Sequence, residues 1–373
     1  MRDDVVDLTS RLVAIDSVNP SLVPGGAGES QIAGFVAGWA TDAGLETTVL
    51  EATSGRPSVL VRAPGAGGGR TLLLCAHLDT VGVEGMAAPH APRVDGDRLH
   101  GRGAYDMKAG LAAALLACRE ASGRSLAGDV VVAAVADEEH ASLGVQEALA
   151  AVRADAAVVT EPTEMEVVVA HKGFVWVEIE ITGRAAHGSR PQLGVDAIVK
   201  AGPVLTALGE LDAALGERTH PLLGRGSVHA SLIAGGIELS SYPPSCTISL
   251  ERRTLPGETA AAVEAELAAI LARDGDLVAE QRTLLVREPF EVDPAAPVVE
   301  AVRGAAADVL GTAPPIGGAS YWADAAFIAA AGIPTVMFGP SGEGAHAIEE
   351  WVSIADTEAV TRTLVAAAER LCA

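Results

Sequence analysis

Four apolar runs of β-strand length each end in an imidazole or carboxylates, and this recurrence most limits what the chain can fold into. Residues 71–80 (TLLLCAHLDT) stop at His77 and Asp79, and residues 129–136 (DVVVAAVA) stop at Asp137, Glu138 and Glu139. Residues 156–160 stop at Glu161, and residues 334–338 lead through the loop 339–344 to His346. Short runs with no polar alternation read as strands buried on both faces, as in a mostly parallel sheet covered by helices. Open α/β sheets place their sites beyond the carboxyl ends of such strands. In a strand of period two, His77 and Asp79 project to the same side. A carboxylate beside a metal-binding histidine commonly fixes its tautomer.

Taken singly, each ending is an ordinary capped or solvated loop. Taken together, two histidines and several carboxylates at strand ends form a plausible metal centre. Consecutive carboxylates such as Glu138 and Glu139 repel each other unless a cation offsets them. Mixed imidazole and carboxylate ligation suits zinc, with cobalt or manganese as alternatives. His77, Glu138, Glu139, Glu161 and His346 are more ligands than one tetrahedral ion needs. Asp106, in LHGRGAYDMKAG, is expected to cap a helix over 107–121. Its two oxygens could also bridge a pair of ions about 3.5–4 Å apart.

The 373 residues allow two domains and a sizeable core. A formal charge of −23 argues against nucleic acid or an anionic membrane as a partner. Cys75, Cys118, Cys246 and Cys372 are widely spaced and imply no disulfide framework. The start MRDDVVDLTSRL reads as an acidic amphipathic helix, not a signal peptide, and no run reaches membrane-spanning length. The expectation is a reduced, cytoplasmic protein. The glycine-rich segment 63–70 (APGAGGGR) lacks the Gly-Lys-Ser/Thr of a phosphate loop and is expected to be a hairpin-type connection.

After Glu161 the texture changes. Residues 171–183 (HKGFVWVEIEITG) alternate apolar and polar, as a half-exposed antiparallel strand does. A helix over 195–215, strands near 227–234 and 245–252, and a helix at about 257–273 follow. This order predicts an α+β domain at about 173–284, inserted into a metal-binding domain formed by 1–172 and 285–373. The clean alternation of 174–181 suggests an edge strand that needs covering, and closed two-fold pairing would cover it.

The motifs HLDTVG, GRGAYDMKAG, ADEEH, TEP, GRAAHGSRP, ERRTLPGE and FGPSGEGAHAIEEW, in this order, resemble the dinuclear-zinc amidohydrolases and exopeptidases. That family includes acetylornithine deacetylase, succinyl-diaminopimelate desuccinylase, aminoacylase and carboxypeptidase G, and the likeness runs from about His77 to Trp351. It implies a zinc-exopeptidase-like catalytic domain carrying a ferredoxin-like dimerisation domain, with two divalent ions per chain. His77 would bind one ion and His346 the other, Asp106 would bridge them, and Glu139 and Glu161 would complete the two sites. Asp79 would orient His77. Glu138 would be the general base on a water held between the ions. In a homodimer His187 would stabilise the oxyanion in the partner's site, and Arg253 would grip a substrate carboxylate. Ser240 stands where many relatives carry an asparagine, which alters substrate contacts, and His229 is a candidate pocket residue.

The leading expectation is therefore hydrolysis of the amide bond of an N-acyl amino acid. The runner-up is a dipeptidase or carboxypeptidase of the same family. A reading from another class is a binding protein that keeps the fold without activity; its mark would be a lost base or ligand, and none is lost here. A single-metal zincin protease is excluded because no His-Glu-x-x-His occurs.

Overall fold

The computed structural model describes residues 1–373, which divide into two compact units. The first comprises residues 1–169, 292–317 and 323–373, and the second 170–291 and 318–322.

In the first unit the apolar runs become the central sheet. Its neighbouring strands are Glu46–Leu50, Ser58–Ala63, Val130–Val135, Leu72–His77, Ala156–Val159, Thr335–Met337 and Val167–His171. The middle pairs are parallel: Leu72–His77 with both Val130–Val135 and Ala156–Val159, and Thr335–Met337 with Ala156–Val159. The flanking pairs are antiparallel. Every residue of Leu72–His77 and Val130–Val135 is buried, because helices cover the sheet. The alanine-rich helix Ala109–Ser122 buries eleven of its residues. Such small side chains let it lie close against the strands, and Pro297–Leu310 and Ile354–Leu371 share the same core. The first unit is thus an α/β fold with a mixed sheet whose parallel centre aims its strand ends one way.

Two local expectations fail here for identifiable reasons. Segment 63–70 is not a hairpin connection: Ser58–Ala63 and Leu72–His77 each pair with Val130–Val135, which lies between them. Asp106 is not a helix cap. It sits in an irregular turn, Ala104–Lys108, with φ −116° and ψ 97°, and the regular helix starts only at Ala109. Gly110 explains why this turn can approach the sheet so closely. A Cβ there would lie 2.0 Å from the Thr160 carbonyl oxygen.

The second unit is a four-stranded antiparallel sheet backed by two helices, in the order β-α-β-β-α-β. Its spatial strand order is Ser227–Gly235, Ser245–Thr254, Gly173–Thr182 and Ala279–Arg287. This is the ferredoxin-like arrangement. Gly173–Thr182 alternates buried and exposed residues as its sequence indicates. It is nonetheless a central strand, not an edge, since it pairs on both sides. Alternation reports which face is covered, not whether a neighbour lies alongside. The last strand runs to Arg287, opposite Phe174, so the unit extends past residue 284. Helices Ala197–Leu215 and Ala260–Leu271 start at Asp196 and Thr259, whose side chains accept from Val199 N and Ala262 N. The two edges are Ser227–Gly235 and Ala279–Arg287; the first is exposed from His229 onward, with Leu232 71% and Ile233 54% accessible.

Candidate metal centre

His77 is the last residue of its strand and is buried. Its Nδ1 lies 2.9 Å from the main-chain oxygen of Asp79, so Nδ1 carries the proton and donates to that oxygen. The neutral ring then offers a lone pair at Nε2, yet Nε2 faces Asp106 Oδ1 at 3.0 Å and Glu161 Oε1 at 3.9 Å. Two acceptors at that separation require a proton or a cation between them. Asp106 presents its second oxygen, Oδ2, 3.4 Å from His346 Nε2, and the same nitrogen lies 3.2 Å from Glu139 Oε2. Ligand atoms of His77, Glu138 and Glu161, and of His77, Asp106 and Glu139, gather within 4.8 Å in each set. Residues separated by up to 269 positions thus meet at one end of the parallel strands.

Charge shows what this pocket lacks. Burial, reinforced by Glu161, pushes the Glu138 carboxyl well above the usual carboxylate range. Burial does the same to Glu161 against the pull of His77, and it also raises Glu139. Asp106 is held low: hydrogen bonds to His346 and His77 outweigh its own burial. The carboxylates Asp106 and Glu139 in turn raise His346 to about 10. His77 is raised by Asp106, Glu161 and Glu138 although burial opposes this. Four carboxylates beside two imidazoles need about four positive charges, which two divalent cations supply with both rings neutral. The donor set fits such a pair.

A network of buried polar residues surrounds these side chains, and three of its members, Asn19, Glu29 and Arg56, were not singled out by the sequence. Asp79 reaches His77 through its main-chain oxygen, and its carboxylate is 3.8 Å from Nδ1. That carboxylate instead accepts from Glu138 N and Glu139 N at 3.1 and 3.2 Å, and from Asn19 Nδ2 at 2.7 Å. Asn19 also donates to Asp137, which takes a 2.6 Å ion pair from buried Arg56; Arg56 grips Glu29 with two further 2.7 Å bonds. This chain of buried groups fixes the loop that carries Glu138 and Glu139. Asn19, Glu29 and Arg56 sit in loop-like or polar contexts and gave no sequence signal. Asp137 was visible only as part of an acidic run.

The remaining candidates lie in the second unit. His187 is exposed, and its Nδ1 accepts from Ser189 N at 3.1 Å, which leaves the proton on Nε2 as an outward donor. Arg253 is half-buried; its Nε donates to Glu251 at 2.7 Å and its guanidinium stands 5.0 Å from the centre of the Phe174 ring. His229 pairs in register with Glu251, so His229, Glu251 and Arg253 share the sheet face opposite the helices. Ser240 is exposed and donates to Glu238. Arg252, the neighbour of Arg253, points the other way and is buried in pairs with Glu258 and Glu266.

This α/β architecture with its inserted sheet, and a pocket of carboxylates and imidazoles, defines a metal-dependent hydrolase. The chain belongs to Peptidase family M20/M25/M40, whose model matches residues 73–370. It is 31% identical to an acetylornithine deacetylase of Myxococcus xanthus over 97% of this chain and 96% of that one. It is 28% identical to another from Pectobacterium atrosepticum, over 94% and 93%. Among solved structures, the fold is similar to the aminopeptidase PepT of Bacillus cereus (TM-score 0.81, 22% identity, 100% and 99% covered). It is also similar to an M20 metallo-carboxypeptidase of Sulfolobus solfataricus (TM-score 0.77, 19% identity, 98% of each). These enzymes set aside the reading of a silent binding protein. No helix is long and apolar enough to cross a membrane.

Proposed function

We propose that the protein hydrolyses the amide bond of an N-acyl amino acid. The observation that carries this reading is the gathering of Asp106, Glu139, Glu161, His77 and the exposed His346 around a charge-deficient pocket, with Glu138 beside it. Full-length similarity to enzymes named acetylornithine deacetylase favours the acyl amino acid class. His77, Glu161 and one oxygen of Asp106 would hold one divalent ion; His346, Glu139 and the other oxygen would hold the second. Zinc is the expected metal, with cobalt or manganese as alternatives. When bound, the pair supplies Lewis acidity toward the carbonyl and lowers the pKa of water.

The residues then divide the proton work. Glu138, half-buried and left outside the proposed ligand set, takes the proton of the attacking water and hands it to the leaving amine. Its raised pKa in the absence of cations marks a carboxylate whose proton affinity its surroundings control. Arg253 would pair with the substrate carboxylate, exchanging part of its bond to Glu251. Ser240 would contribute to substrate contacts, and His229 would be a pocket residue. His187, with its donor on Nε2, would serve the oxyanion in a second copy's site. The exposed apolar edge Ser227–Gly235 supports a homodimer, since such an edge is otherwise a liability. Peptide hydrolysis is the second reading, favoured by the aminopeptidase and carboxypeptidase neighbours. A screen of N-acetyl, N-succinyl and N-carbamoyl amino acids and dipeptides, with added zinc or cobalt, tests both. Turnover confined to dipeptides would replace the first reading with the second.

A further inference from the structure

Among polar groups outside the candidate ligand set, one buried ion pair touches both of the loops that supply Asp106 and His346. Glu350 is 2% and Arg102 3% accessible, and they pair at 2.7 Å between Glu350 Oε2 and Arg102 Nη1. The carboxylate is filled by four donors. Oε2 also accepts from Gly103 N at 3.0 Å, while Oε1 accepts from Tyr105 N at 2.9 Å and Asp106 N at 3.1 Å. Three main-chain N–H groups of the irregular turn therefore converge on one side chain from 244 residues or more downstream. An irregular turn has no ladder of its own to fix it, so Glu350 takes the place of secondary structure for the segment that carries Asp106.

Arg102 extends the contact to the other loop. Its Nη2 donates to the Ala347 carbonyl at 2.8 Å, immediately after His346, and its Nε donates to Gly82 at 3.1 Å. His346 itself has φ +61°, a left-handed conformation that a non-glycine residue holds only when its surroundings impose it. The guanidinium fork thus makes three directed bonds to two segments, two to the loop after His346 and one to Gly82, in a planar spread that a compact ammonium does not reproduce. Resting on the dinuclear reading above, we propose that Arg102 and Glu350 are positioning residues. They set the spacing between Asp106 and His346, and so whether the second divalent ion binds along with the first.

The geometry assigns the two residues different effects. Glu350→Gln places an amide N–H₂ against donors that the carboxylate accepts from, which frees the Asp106 turn and weakens both ions. Arg102→Lys keeps a charge for Glu350 but loses the fork, and chiefly releases the His346 loop. Losing a partner that orients a ligand typically costs about 10–100-fold in metal affinity.

The test is manganese titration of the metal-free, full-length protein, followed by electron paramagnetic resonance, which separates isolated ions from spin-coupled pairs. Wild type should take up two ions and show the coupled signal; saturation at one would fail the dinuclear reading itself, independently of the pair. Arg102→Lys should bind its first ion within about threefold of wild type and its second about 10–100-fold more weakly. Its lost turnover should return at high manganese. Glu258→Gln, which weakens the pair between buried Arg252 and partly exposed Glu258 in the other unit, should lower Tm without changing either affinity. A folded Arg102→Lys protein with wild-type binding of both ions overturns the proposal. So does a loss in Arg102→Lys that Glu258→Gln reproduces at equal Tm. Should Glu350→Gln not fold, Arg102→Lys still decides the matter.

Discussion

The two units hold their functional side chains in opposite ways. Around the metal centre of the first unit, side chains are buried and answered by partners far away in sequence: Asp79 by Asn19, Asp137 by Arg56, Glu350 by Arg102. In the second unit the candidates stand at the surface and are held by neighbours two residues away, His187 by Ser189 and Arg253 by Glu251. A binding pocket for cations needs rigid, preorganised ligands, since buried charges tolerate no slack. If His187 and Arg253 meet a second subunit and a substrate as proposed, their exposure leaves them free until that contact forms. One unit is therefore braced from within, and the candidates of the other are held only by near neighbours.

The largest expected effect lies in the braced unit. Glu138→Ala should lower turnover by about 10²–10⁴-fold while both metals stay bound, whereas Glu139→Ala should lose metal. Near-wild-type rates in metal-replete Glu138→Ala would remove Glu138 as the base.

Adjacent arginines then set stability against recognition. Arg252→Ala removes a buried guanidinium that pairs with the partly exposed Glu258 and Glu266, and should cost about 1–3 kcal/mol in denaturant unfolding. Arg253→Ala should change stability little. It should reduce kcat/KM by about 10–100-fold for substrates with a free carboxylate, the loss expected for one charge-assisted hydrogen bond, and far less for their amides. Equal losses on acid and amide would take Arg253 out of recognition.

If the second unit is completed by another copy, inactive His187→Ala and inactive Glu138→Ala chains should restore activity when mixed. The heterodimer would own one site with an intact base and an intact visiting histidine. No recovery after verified subunit exchange would place His187 in its own chain's chemistry or outside it, and a monomer at working concentration would end the idea sooner.

A smaller effect concerns pH. In the metal-free protein His346 is raised to about 10 by Asp106 and Glu139. Its charged form stabilises the metal-free fold fully below about pH 6.5, and that contribution fades as pH rises toward 10. A cation must displace this proton, so metal affinity should climb with pH across the same window, with proton release visible by calorimetry in two buffers. Affinity independent of pH there would argue against His346 as a ligand.

The contrast between units also explains what the sequence disclosed. The candidate metal residues could be picked out because ligation demands particular side chains and parallel sheets deliver them at strand ends, where the structure gathers His77 with Glu161 and with Glu139. The α/β sheet and the inserted α+β unit followed from the change between unbroken and alternating apolar patterns. Asp106 was visible as a residue but not as a conformation, because its turn is shaped by Glu350, 244 positions away. Asn19, Arg56 and Glu29 were silent for the same reason: their burial depends on long-range partners, and nothing local distinguishes them. The place of Gly173–Thr182 in mid-sheet was hidden too, since periodicity encodes a covered face and not a paired edge.

The dinuclear centre is tested most directly by metal content. Full-length protein loaded with zinc and dialysed free of excess should carry two ions per chain by elemental analysis, and Asp106→Ala, which removes the shared ligand, should retain one or none. Wild-type saturation at a single ion, or an Asp106→Ala protein that still holds two, would contradict a centre bridged by Asp106.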